Sequence, residues 1–140
     1  MVRMTVHYQG DLRCELVHEP SGATIQTDAP KDNMGKGEAF SPTDLIGVSL
    51  ASCALTTMAI YAKRNGKELG RMSAEVTKIM SADAPRRISK LLLAIRMPGG
   101  LVESERLVYQ EAAENCPVFK SLHPSIQIET TFSYPDDSSK

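Results

Sequence analysis

Residues 2–8 (VRMTVHY) alternate apolar and polar, with Val2, Met4 and Val6 on one side, and this period of two predicts a strand. Gly10-Asp11 is a turn pair, after which 12–18 (LRCELVH) continue as a second strand. Pro20-Ser21-Gly22 turns the chain again, and 23–28 (ATIQTD) make a short third strand. The chain therefore opens as a three-strand meander. Residues 29–41 form a long loop with Pro30, Gly35 and Gly37, either a plain connector or a functional loop, and a mobile lid or pocket edge is expected there.

Ser41-Pro42 then predicts a helix start, with Ser at the N-cap and Pro at the first helical position. Asp44 lies in the first turn and Lys63 and Arg64 in the last, as the helix dipole favours. Asn65-Gly66 is the stop signal, so the helix covers 42–64. Leu45, Ile46, Val48, Leu50, Leu55, Met58 and Ile60 lie nearly all round it, which predicts burial of most of its surface. Residues 73–80 and 87–97 alternate as two strands around Asp83-Ala84-Pro85, the second with Leu91, Leu93, Ile95 and Met97 on one face. Residues 102–114 read as a helix with Leu101, Val108 and Ala112 on one side. Asn115-Cys116-Pro117 breaks it and starts a short turn to Leu122, and 125–134 form a last strand. The order is βββ-α-ββ-α-β: one α+β domain over 1–134, with 135–140 (PDDSSK) as a flexible tail.

Composition narrows the function classes. With 140 residues and 41% hydrophobic positions the chain can bury a core without staples. A net charge of −1 gives no electrostatic footprint for nucleic acid. Three cysteines do not make a secreted disulfide scaffold, and free thiols fit a reducing compartment. The N-terminus has no long apolar segment of the targeting type, so the cytoplasm is expected. The uncharged run Leu45–Ala62 approaches the length of a membrane span, but Ser49, Ser52, Thr56 and Thr57 interrupt it, and a buried core helix is the better reading.

Cysteines are the strongest chemical candidates. Cys116 precedes Pro117 near an N-cap, where orphan N–H groups would stabilise a thiolate, although a cysteine there can also be an ordinary cap. Cys53 lies mid-helix; taken alone it reads as a small buried hydrophobe. Cys14 sits in an early strand and reads as structural or surface. His7, His18 and His123 are scattered, no local metal-ligand spacing occurs, and neither a phosphate-binding glycine loop nor a serine-nucleophile elbow is present. Neither a metal nor a cofactor is expected. Asp136-Asp137 reads as an acidic tail rather than a catalytic pair.

Residues 41–53 (SPTDLIGVSLASC) resemble the central-helix signature of the OsmC/Ohr family, osmotically inducible and organic hydroperoxide resistance proteins, and 115–118 (NCPV) with Lys120-Ser121-Leu122 resemble its second cysteine motif. The element order matches as well. The resemblance implies a thiol-dependent peroxidase working as an intertwined homodimer around long central helices. It implies that Cys53 attacks a hydroperoxide and that Cys116 resolves the sulfenic acid as a disulfide. A dithiol reductant, such as a lipoylated protein, would then complete the cycle. The family's catalytic arginine comes from the N-terminal meander, where Arg13 is the best match and Arg3 the alternative. The chain departs from the pattern at Thr43, where peroxidase members carry a glutamate that organises that arginine; Asp44 and Glu38 are nearby but not equivalent in position. Burial of Cys53 would oppose its ionisation, so the implied chemistry requires a cation. Two other readings keep the fold: a non-catalytic dimer binding a small apolar ligand, and a thiol redox sensor.

Overall fold

The structure, a computed structural model, describes residues 1–137, and the chain divides into two compact units, Met1–Ile46 and the residues from Gly47 onward. The element order is α+β as expected. Strands β1 (Met4–Gly10), β2 (Arg13–His18) and β3 (Ala23–Asp28) form the antiparallel meander of the first unit. Its register follows from the hairpin at 19–22, which pairs His18 with Ala23 and, at the far end, Arg13 with Asp28.

The buried residues of this unit are all polar among those described: Thr27, Asp28 and Ser41. Many of its large apolar side chains are exposed, including Met4 at 65%, Val6 at 61% and Ile25 at 52%. Met4, Val6, Leu16 and Ile25 line an open cavity of about 480 Å³ on one face of the sheet.

Helix α1 (Pro42–Arg64) starts and stops where its caps predict. The Ser41 hydroxyl accepts the Asp44 N–H at 3.1 Å, and the Asp44 carboxylate accepts the Ser41 N–H at 2.9 Å. This reciprocal box satisfies two orphan donors. At the other end Gly66 takes φ +72°, and the N–H groups of Gly66 and Lys67 donate to the carbonyls of Lys63 and Ala62 at 3.1 and 2.9 Å. That pair of bonds closes the helix with a left-handed glycine.

In the second unit, β4 (Ser73–Met80), β5 (Ile88–Arg96) and β6 (Gln127–Ser133) form one sheet in that order. β4 and β5 pair antiparallel, whereas β6 runs parallel to β5. A parallel neighbour needs a crossover, and helices α2 (Glu103–Glu114) and α3 (Pro117–Ser121) supply it. Leu91, Leu93, Ile95 and Met97 bury one face against Leu50, Ala54, Met58 and Ala62 of α1. Gly47 belongs to the same stripe, since a Cβ there would lie in ordinary contact with Val76 and Leu91. Helix α1 is long and apolar enough to cross a membrane by length and composition. Burial of most of its surface does not occur within this chain: Ile60 and Tyr61 remain 50% and 41% exposed. One three-stranded sheet covers only one side of such a helix.

Two further expectations are corrected. Leu101 and Ala112 pack against the core as expected, beside the buried Tyr109 and Ala113, but Val108 faces outward at 39% exposure. Residues Pro135–Asp137 form a 3₁₀ turn rather than a loose tail. The Arg106 guanidinium donates to both Asp137 oxygens, at 2.9 and 3.4 Å, and lies 3.9 Å from the Tyr134 ring centroid. Asp136 accepts the Gly100 N–H at 2.9 Å. The remainder of the expected tail, 138–140, lies outside the described residues.

Candidate functional site

The second unit brings Cys53 and Cys116 together. Cys53 lies in α1, three residues after Leu50, and is half-buried. Cys116 is the N-cap of α3, with the extended φ −66°, ψ 155° of a capping residue and Pro117 behind it in the first turn. Its side chain is fully buried, and its sulfur accepts the Phe119 N–H at 3.5 Å. The Val118 N–H donates to the Cys53 sulfur, also at 3.5 Å. Two successive amides of the α3 start thus serve two thiols from different elements. The Thr57 hydroxyl, one helical turn after Cys53, lies 3.8 Å from the same sulfur.

The two thiols differ in environment. Burial pushes the Cys116 thiol above its ordinary value, and the neighbouring Cys53 adds to the rise, while the Phe119 and Val118 N–H groups offset part of it. The neutral thiol is thereby the favoured form of Cys116. Of the two, Cys53 is the residue that remains partly exposed. All three cysteines are free. Cys14 sits half-buried in β2 between Tyr8 of β1 and Thr27 of β3.

The first unit assembles a different group around Arg13. Its guanidinium donates to and pairs with the Glu38 carboxylate and lies 3.6 Å from Asp28. The hydrogen bond that Arg13 donates to Glu38, reinforced by the carboxylate charge, holds the guanidinium still further above its ordinary value. Asp28 accepts the Glu38 N–H at 2.9 Å and donates its own N–H to the Phe40 carbonyl at 3.0 Å.

The 29–41 loop is consequently tied down rather than a free lid. Gly37 donates to Ala29 at 3.2 Å, Gly35 to Pro30 at 2.9 Å, and Phe40 bridges Thr27. Gly35 is needed for a steric reason, because a Cβ there would overlap the Ala29 carbonyl. The loop does form a pocket edge: Gly37, Glu38, Ala39, Phe40 and Asp44 line an open depression of about 350 Å³.

Sequence reasoning set Glu38 aside as non-equivalent to a glutamate at position 43, yet Glu38 is the residue that grips Arg13. Asp44 is engaged in the helix cap, and the Thr43 hydroxyl lies 3.2 Å from that of Ser41. Asp28 was missed altogether. Counting outward from the 19–22 hairpin would have found it, since that register sets Asp28 opposite Arg13. Nothing in the sequence pointed to Thr57 or to the Val118 amide. Among the described residues, no group of three or more His, Cys, Asp or Glu side chains could hold a metal ion.

The family model described as OsmC-like protein matches residues 35–131, a span that includes Glu38, Cys53 and Cys116. A crystal structure from Psychrobacter arcticus, provisionally described as an osmotic stress induced and detoxification response protein, is 46% identical with a TM-score of 0.89. The alignment covers 95% of this chain and 96% of that one. An organic hydroperoxide resistance protein from Legionella pneumophila shares the fold at 16% identity and a TM-score of 0.76, over 95% and 96% of the two chains. Another from Elizabethkingia anophelis does so at 14% identity and a TM-score of 0.76, over 96% of each chain. No curated protein matches significantly. The matched span, with the extent of the Psychrobacter likeness, places the chain in the OsmC-like protein family.

Proposed function

We propose that this chain is a thiol-dependent peroxidase that reduces organic hydroperoxides, with Cys53 as the attacking thiol and Cys116 as the resolving one. The observation that carries the reading is the shared start of α3, whose consecutive amides donate to both sulfurs, that of the half-buried Cys53 and that of the buried Cys116. Hydroperoxide resistance, the role named for two proteins of this fold, agrees with it.

The Cys53 thiolate attacks one peroxide oxygen. The O–O bond breaks, the other oxygen leaves as the alcohol after taking a proton, and Cys53 becomes a sulfenic acid. Cys116, once deprotonated, attacks that sulfur and expels water, giving the disulfide. An external dithiol returns both cysteines to thiols and is itself oxidised. Arg13 supplies the cation that the Cys53 thiolate requires, and its carboxylate partners hold it ready.

A homodimer in the cytoplasm completes the proposal. Its support is the exposed apolar face of the first sheet, with Met4, Val6 and Ile25, and the uncovered Ile60 and Tyr61 of α1. The same apolar face favours a second reading, a non-catalytic dimer that binds a small apolar ligand. Stoichiometric addition of cumene hydroperoxide or hydrogen peroxide to reduced protein, followed by peptide mapping, separates the two. The peroxidase reading expects loss of two thiols per peroxide and a Cys53–Cys116 disulfide. Unchanged thiols with both peroxides would overturn it.

A further inference from the structure

We propose that Asp28 is a positioning residue for Arg13: its buried carboxylate faces the guanidinium directly and, by holding the Glu38 N–H, also sets the second carboxylate that grips it. The inference rests on the peroxidase reading, in which Arg13 serves Cys53.

Three observations carry it. The Asp28 side chain is fully buried, whereas that of Glu38 is 59% exposed and that of Arg13 31%. A carboxylate withdrawn from water is costly unless a charge or several donors compensate. Its compensation here is the Arg13 guanidinium at 3.6 Å and the Glu38 N–H at 2.9 Å, both on the same oxygen, Oδ2. The other oxygen, Oδ1, and the Arg13 Nε are both buried without a hydrogen-bond partner. A neutral asparagine could accept the Glu38 N–H and fill the same volume. The negative charge is what such a residue would lack, and among the residues described around it the charge addresses Arg13.

Glu38 alone would hold the arginine loosely. It lies on a loop, largely in water, where an ion pair is weak and its geometry is free. Asp28 is fixed at the end of β3, and its backbone and side chain both bond the returning 38–40 segment. One buried residue thereby orients both members of the Arg13–Glu38 pair.

The sign of one measurement distinguishes positioning from simple electrostatics. Removing a negative charge near a thiolate through space lowers the thiol midpoint. Releasing the cation that the thiolate depends on raises it. The test follows the pH dependence of Cys53 alkylation by iodoacetamide in a Cys14→Ser, Cys116→Ser background, with a melting curve for each variant. Asp28→Asn, Glu38→Gln and Arg13→Ala should each raise the Cys53 midpoint by roughly 1 pH unit. In an Arg13→Ala background neither should move it further.

A midpoint that stays or falls in Asp28→Asn, while Arg13→Ala raises it, overturns the inference and leaves the peroxidase reading standing. A rise that persists without Arg13 overturns it as well, because the effect would then be structural. If Asp28→Asn does not fold, Glu38→Gln decides alone, and an unmoved midpoint there overturns the inference. An Arg13→Ala midpoint equal to that of the parent would instead remove Arg13 from the proposed site, and the inference with it.

Discussion

The backbone N–H of Val118 donates to the Cys53 sulfur at 3.5 Å, joining residues 65 positions apart in the chain. This bond gives a mid-helix cysteine what its own helix withholds, a free amide donor. Every N–H near Cys53 in α1 is already committed to the helix ladder. The next amide along α3, that of Phe119, serves Cys116. A single backbone start thus faces both thiols, one half-buried and the other buried.

That asymmetry predicts the behaviour of single-cysteine variants. Cys53→Ser should lose all turnover of cumene hydroperoxide. Cys116→Ser should consume one equivalent and stop, leaving a sulfenic acid on Cys53 that dimedone traps. Cys14→Ser should match the parent protein. Mass spectrometry of the dimedone adduct reads the result, and an adduct on Cys116 in the parent protein would reverse the assignment.

The raised Cys116 thiol has a consequence for stability. Burial, above all, favours its neutral form in the folded chain. Its stabilising contribution is therefore complete below the ordinary thiol value of about 8.5 and is lost as pH rises through the higher folded value. Urea midpoints of the reduced protein should decline from neutral towards alkaline pH, and Cys116→Ser should flatten part of that decline. Parallel declines in the two proteins would show that other groups dominate.

The 29–41 loop should be sensitive at Gly35. Gly35→Ala would place a methyl group against the Ala29 carbonyl, and the loop must shift to admit it. The Glu38 N–H that donates to Asp28 should then exchange with solvent at least tenfold faster, while the core amides of β5 stay protected. Unchanged exchange at Glu38 would mean that the loop absorbs the methyl group locally.

The helix cap gives a calibrated change in stability. Ser41→Ala removes the acceptor of the Asp44 N–H and should cost about 1 kcal/mol in reversible unfolding. Ser41→Asp should retain most of that stability, since its carboxylate can accept the same bond. Equal losses in both variants would point to packing of the buried Ser41 rather than to its hydroxyl.

Assembly is open to a direct measurement. An obligate homodimer covering the exposed Met4, Val6, Ile25 and Ile60 should bury more than ~2,000 Å² in total. Sedimentation at micromolar concentration should then show one species of twice the chain mass. A monomer would exclude the dimer and favour some other cover for those side chains.

Local chemistry in the sequence determined the elements and their ends. Gly10-Asp11 and Pro20-Ser21-Gly22 mark the hairpins, Ser41-Pro42 opens α1, Asn65-Gly66 closes it, and Pro117 starts α3, each because a turn or cap is built by neighbours in the chain. The two cysteine motifs were legible through their resemblance to the OsmC/Ohr family, since Cys53 taken alone reads as a small buried hydrophobe. The tertiary structure alone decided what lies far apart in sequence. Periodicity assigns residues of a strand to faces but does not name its neighbour, so the parallel placement of β6 beside β5 was not visible. The Val118 amide meets Cys53 only because the crossover brings α3 to α1 within that unit. Glu38 reaches Arg13 because the loop folds back on Asp28, whereas the family pattern places that glutamate at position 43, where this chain has threonine. Such pairings depend on packing and on the burial of one carboxylate, and neither property belongs to any short stretch of residues.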